Sequence, residues 1–97
     1  MLRLYIDTND MDHDGWCHLI RHEGRLIDEV AAELGLVEGM AVILFNADPA
    51  EEFEYDGIVS HRTDRWLGRA DLASYRLLRE SPVDSASSLL GGQGSTR

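Results

Sequence analysis

The sequence predicts a small α+β domain, mainly β, in which a barrel-like sheet packs against one helix. Three observations carry that reading. Short runs at residues 2–6, 16–22 and 53–59 alternate apolar and polar side chains, the period of half-buried strands. Met40–Phe45 is six apolar residues in a row, enough for a strand buried on both faces and too short for a helix. Only Arg25–Leu34 spaces its apolar residues by three and four. A chain of 97 residues holds one modest core and not two.

Taken in order, Leu2, Leu4 and Ile6 alternate with Arg3, Tyr5 and Asp7. Trp16, His18 and Ile20 then alternate with Cys17 and Leu19. These two runs are expected to form a hairpin across the polar stretch Thr8–Gly15, a loop longer than the usual connection of about two to five residues. In the helix, Leu26, Ile27, Val30, Ala31 and Leu34 share a face, and Asp28 and Glu29 sit where the helix dipole favours acids. Gly24 is the best available N-cap; Gly35 supplies a left-handed stop, with Leu36 placed for the contact that often follows it. Glu38-Gly39 turns the chain into the central strand Met40–Phe45, and Asn46–Pro49 is turn chemistry. Phe53 and Tyr55 start the next strand, in which Gly57 is expected to mark a bulge that bends the sheet. Ser60–Asp64 turns again, and Arg65–Ala70 is a strand carrying Trp66. Asp71–Glu80 fits a helix capped by Asp71 or a single turn at 71–74 followed by a strand. The strand is expected, because the earlier strands need an edge partner. One globular domain over 1–80 is followed by a Ser/Gly-rich disordered tail, 81–97.

Composition narrows the partners. Hydrophobic content of 43% and charged content of 28% are ordinary for a globular protein, and the net charge is −9. Such a surface repels nucleic acid and anionic membrane, so neither is an expected partner. Residues 1–56 hold fourteen acids against three arginines, a sum of −11, whereas Arg62, Arg65, Arg69, Arg76 and Arg79 dominate 57–79. This asymmetry makes self-association a candidate behaviour. All nine basic residues are arginine, a composition typical of translation from a GC-rich bacterial genome. The lone Cys17 suits a reducing compartment. With no signal-peptide pattern and no run near the ~20 apolar residues of a membrane span, a cytoplasmic location is expected.

Three families enter by resemblance. Gly39–Leu44, Phe53–Gly57 and Ala70–Ala73, in that order over roughly residues 40–79, resemble the central strands and one-turn corner of Src-homology-3-like barrels, and also a type of small bacterial protein of unestablished role. Peptide-binding barrels of that class use paired aromatics. Trp16, Tyr55, Trp66 and Tyr75 are available here, with core packing their commoner use. Leu34–Val42 is similar to the L-G-L-x-x-G-x-x-V signature of swapped-hairpin antitoxins and transition-state regulators, which bind DNA as dimers. Acids flank it here, so the phosphate term would be repulsive. Val30–Gly35 resembles the first helix of a helix-turn-helix, but an apolar run stands where the recognition helix belongs.

The most specific chemical feature is Asp10-Met11-Asp12-His13-Asp14-Gly15, the D-x-D-x-D-G opening of a calcium loop. Asp10, Asp12 and Asp14 would be its first ligands and Gly15 the tight turn. The twelfth position, however, is Arg21 rather than a bidentate Glu, and the flanks read as strands. The competing account is that Asp and Gly are what polar turns are made of. His13, Cys17, His18 and His22 include metal-ligand types, yet on one strand His18 and His22 lie roughly 13 Å apart at ~3.3 Å per residue. Cys17 is the only candidate nucleophile, and a strand turns its neighbour His18 to the opposite face. The acids Asp48, Glu51, Glu52, Glu54 and Asp56 read as a solvated strand edge or as a docking surface for a basic partner. The expected function is a non-enzymatic binding or protein-interaction module, with no catalytic residues and no cofactor. Calcium binding through Asp10, Asp12 and Asp14 is the alternative, and a swapped-hairpin DNA-binding regulator the third.

Overall fold

In a computed structural model, residues 1–80 can be described, and they are mostly strand with one helix. The tail expected at 81–97 lies outside the described residues.

The strands are β1 (Arg3–Tyr5), β2 (Trp16–His18), β3 (Arg21–His22), β4 (Arg25–Leu26), β5 (Ala41–Ala47), β6 (Glu51–Arg62), β7 (Arg65–Ala70) and β8 (Arg76–Glu80). The helix α1 spans Ile27–Leu34. Six strands form one sheet in the path β1-β5-β6-β7-β2, with β8 beside the first half of β6, while β3 and β4 pair separately as a small hairpin.

The long β6 organises the sheet. β5 runs antiparallel along one side of it, from Ala41 opposite Ile58 to Ala47 opposite Glu52. The other side is shared: β7 pairs with Gly57–Arg62 and β8 with Glu51–Glu54. The 3₁₀ turn Leu72–Ser74, whose start is capped when Asp71 accepts from the Ala73 N–H, carries the chain from β7 to β8. This is the turn-then-strand outcome expected for 71–80.

The sheet departs from expectation in three places. The hairpin between residues 2–6 and 16–22 does not form. β1 instead runs parallel to β5, with Leu4 opposite Leu44, and β2 pairs antiparallel with β7, with Cys17 opposite Gly68. Alternation reports which face a strand buries but not which strand it pairs with. Parallel pairing with the apolar β5 buries Leu4 and Ile6 almost completely, and the connection back to β5 contains α1, as a parallel pair requires. Secondly, no closed barrel is formed, because the path ends at β1 and β2 without a ladder between them. Thirdly, Gly57 sits in continuous register on both sides, and the irregularity falls between Glu52 and Phe53 against β8. What Gly57 provides is space: a Cβ there would meet Leu44 Cδ1 at 2.5 Å and the Arg69 carbonyl at 2.8 Å.

Alternation buries Leu4, Val42, Leu44, Val59, Cys17 and Ala70 on one face of the sheet. Ile27 and Val30 of α1 and Leu36 complete that core. The helix starts two residues later than expected, because Arg25 and Leu26 pair with β3 around Glu23-Gly24, both at positive φ. Gly24 is thus a turn residue rather than the N-cap. Leu26 holds the cap position with no side-chain bond, and the Ile27 N–H donates to the Ile20 carbonyl. The C-terminus follows expectation. Gly35 is left-handed, its N–H reaches Ala32, the Leu36 N–H reaches Ala31, and Leu36 is buried.

Candidate functional site

The D-x-D-x-D-G loop lies along β2, an end strand whose second side would otherwise be bare. Gly15 accepts from the Ala70 N–H and the Leu19 N–H donates to Trp66, so the odd-numbered residues face β7. By alternation, Trp16 and His18 turn their backbone groups outward. The loop meets them. Asp12 Oδ1 accepts from the N–H groups of Trp16 at 3.0 Å and Asp14 at 2.9 Å, while the Asp12 N–H donates to the Trp16 carbonyl at 2.9 Å. Asp10 Oδ2 accepts from the His18 N–H at 2.8 Å. His18 Nδ1 lies 2.9 Å from the same oxygen and donates to it when protonated there. Gly15, at φ 91°, passes so close to the Ala70 carbonyl that a Cβ would come within 2.4 Å of its oxygen. Asp7 stabilises the loop's entry by accepting from the Asn9 N–H at the start of the 3₁₀ turn Thr8–Asp10.

The electrostatics follow from those bonds. Asp12 is held below the ordinary carboxylate range mainly by the Trp16 N–H, and Asp10 mainly by the His18 N–H with help from the His18 ring. The candidate ligands therefore do not converge. Asp10 and Asp12 engage the edge of β2, and the exposed Asp14 carboxylate lies 3.7 Å from His13 Nε2. Among the described residues no group of three or more His, Cys, Asp or Glu is placed to hold a metal ion.

Cys17 is buried opposite Gly68, its thiol 3.6 Å from the Gly68 carbonyl. Burial, and then the charges of Asp10, Asp12 and Asp7, push that thiol up to about 12. Burial thus favours the neutral thiol, and Cys17 packs as part of the apolar core.

The other end of the path is built differently. The Ile43 N–H donates to Leu2 and the Ile6 N–H to Phe45, so the even-numbered residues of β1 face β5. Arg3 and Tyr5 turn their N–H and C=O groups to the open side, where they have no hydrogen-bond partner among the described residues. Alongside lies a groove of about 640 Å³ between β1 and the β3–β4 hairpin, lined by Met1, Leu2, Tyr5, Phe45, Arg21 and His22. Tyr5 packs edge-on against Phe45, and the Arg3 guanidinium lies 4.3 Å above the Phe45 ring.

The acidic stretch on β6 is largely engaged within the molecule. Arg3 pairs with Glu52 and Glu54, Arg76 with Glu54 and Asp56, and Arg79 with Glu52. Asp48 caps its own turn by accepting from the Ala50 and Glu51 N–H groups. Two of the arginines expected to offer a basic face thus already meet these acids. Of the aromatics, Tyr55 and Trp66 pack against the core, while Tyr75 stays exposed beside Phe53 and Tyr55.

Sequence reasoning missed the open side of β1, because it depends on which distant strand β1 pairs with. It also missed Glu38, which accepts from the Ser60 hydroxyl and the His61 N–H and is held low chiefly by the latter. No helix among the described residues is long and apolar enough to cross a membrane. No protein-family model matches this chain, nor does any curated protein or solved structure.

Proposed function

We propose that the protein is a non-enzymatic interaction module that takes up an extended segment of a partner protein along β1. The observation that carries the reading is the side of β1 without a hydrogen-bond partner among the described residues: two residues with outward N–H and C=O groups, beside a groove of about 640 Å³. An extended segment would hydrogen-bond to Arg3 and Tyr5 and set alternate side chains among Met1, Tyr5 and Phe45, the physics of strand addition. The burial of Cys17, whose thiol is pushed up to about 12, supports a role without chemistry. The order of β5, β6, β7, one-turn corner and β8 supports the Src-homology-3-like likeness.

The test is a selection from a displayed peptide library on the wild-type protein and on Tyr5→Pro. That substitution deletes an N–H on the open side without removing a bond to β5, the one kind of strand position that tolerates proline. Peptides that bind the wild type and lose affinity at least tenfold on the variant, about 1.4 kcal/mol, support the reading. Equal affinity for both proteins would rule out strand addition at β1.

A further inference from the structure

The hairpin of β6 and β7 carries a concentration of positive charge that no ion pair among the described residues neutralises, although the Arg69 Nε–H donates to the Asp14 carbonyl. Arg3, Arg25, Arg76 and Arg79 each form an ion pair, and Arg21 donates to the Gly24 carbonyl. Arg62, Arg65 and Arg69 form no ion pair among the described residues, and all three sit on this hairpin. Arg62 and Arg65 face each other directly across the ladder, where like charges are unfavourable. Two of the guanidiniums are held in place by an aromatic ring: Arg62 lies 4.2 Å and Arg69 5.3 Å from the centre of Trp16. This keeps their donor edges oriented without neutralising them.

The turn between the strands is strained as well. Thr63 and Asp64 both adopt positive φ, 51° and 62°. A tight two-residue hairpin demands this of its central residues, and Asn-Gly meets the demand far better than a β-branched threonine. Like charges in register and an ill-suited turn residue both act against folding, and they coincide at one hairpin tip.

We propose that this hairpin is the docking site for a short acidic segment of a protein partner, whose carboxylates are received by Arg62, Arg65 and Arg69. The site is separate from the β1 groove and does not depend on it. The guanidinium fork matches a carboxylate with two parallel hydrogen bonds. The rest of the molecule sets the partner's size. Its net charge of −9 repels an extended polyanion such as duplex DNA, which carries a charge every ~1.7 Å of its axis. A segment short enough to touch only the tip lies mainly within the ~8 Å over which the arginines act at physiological salt. Of the carboxylates nearby, Asp10 and Asp12 are turned to the N–H groups of β2, Asp64 lies in the turn itself, and Glu38, which feels the charge of Arg62 without pairing to it, accepts from the Ser60 hydroxyl and the His61 N–H.

A hexaglutamate peptide, titrated at low salt while tryptophan emission is followed, tests this directly. Trp16 lies beneath Arg62 and Arg69 and reports on the site, while Trp66, stacked on His61, sits on the core side of the same hairpin. The expected result is a saturable change that weakens as salt rises and weakens at least tenfold in Arg62→Ala/Arg65→Ala, with Arg25→Ala unaffected. Arg65→Ala alone is expected to melt no lower than the wild type, which separates loss of binding from loss of folding. A matched phosphoserine peptide or duplex DNA that binds more tightly than hexaglutamate would overturn the carboxylate assignment. Absence of saturation, or equal binding by the double variant, would overturn the site.

Discussion

β1 and β2 end the same strand path, each is three residues long, and each buries alternate side chains in the same core. They differ in what meets their outer sides. Beside β2 the chain folds back on itself, and the carboxylates of Asp10 and Asp12 take the two N–H groups that would otherwise point to water. Beside β1 the outward groups of Arg3 and Tyr5 have no partner among the described residues and lie over a groove. An exposed strand edge is a template for pairing, and proteins ordinarily block it. Among the described residues, one end is blocked by an acidic loop and the other has no partner. The loop that reads in sequence as a calcium motif acts as an edge cap, and the unremarkable N-terminal strand becomes the candidate docking edge.

The largest expected effect breaks both ends together. Leu44 is fully buried beneath Gly57 and Gly68, and Leu44→Ala should lower the unfolding free energy by about 2–5 kcal/mol in urea denaturation. Gly57→Ala forces a methyl group onto Leu44 and should cost about 1–3 kcal/mol by the same measurement. Next comes the β2 cap. In Asp10→Ala/Asp12→Ala the Trp16 and His18 amides should exchange with solvent much faster, while amides in the β5–β6 ladder hold their protection.

Acid should mimic that variant. Both carboxyls lie below their ordinary value of 3.8 in the folded protein. The stability they add is therefore complete above that value and drains away as pH falls through their lower folded values. A thermal melt should respond to this between neutral pH and pH about 3 in the wild type and less in the double variant. The smallest effect is calcium. Millimolar calcium should leave the melting temperature where EDTA leaves it, whereas a site saturated about a hundredfold would add about 2.7 kcal/mol. A calcium-specific rise abolished by Asp12→Ala would return the loop to the role its spacing suggests.

Most strands of the large sheet, the helix and its Gly35-Leu36 stop are readable from periodicity and turn chemistry, because those signals are local; the β3–β4 hairpin is not, since 16–22 reads as one strand and Arg25–Leu26 as helix. The one-turn corner and last strand at 71–80 follow from the need of β6 for a partner. The pairing of β1 with β5 is not readable in this way. Leu2, Leu4 and Ile6 specify a buried face equally well for a hairpin with β2 or a parallel ladder with β5, and the choice rests on contacts about forty residues away. The role of Gly57 is hidden for the same reason: spacing announces a bulge, whereas the Leu44 side chain in the neighbouring strand is what requires a glycine. At the acidic loop the residues themselves stand out, Asp10 and Asp12 above all. Their chemistry was open, because an aspartate that binds a metal and one that accepts backbone N–H groups look alike until the strand behind them is placed.

The contrast between the two ends is most directly tested by residue-resolved amide hydrogen exchange on the wild-type protein near neutral pH. The account predicts strong protection at Trp16 and His18 and exchange close to the unstructured rate at Arg3 and Tyr5. Protection of Arg3 and Tyr5 equal to that of Trp16 and His18 would mean that β1 is already covered, and would contradict the open edge on which the proposed function rests.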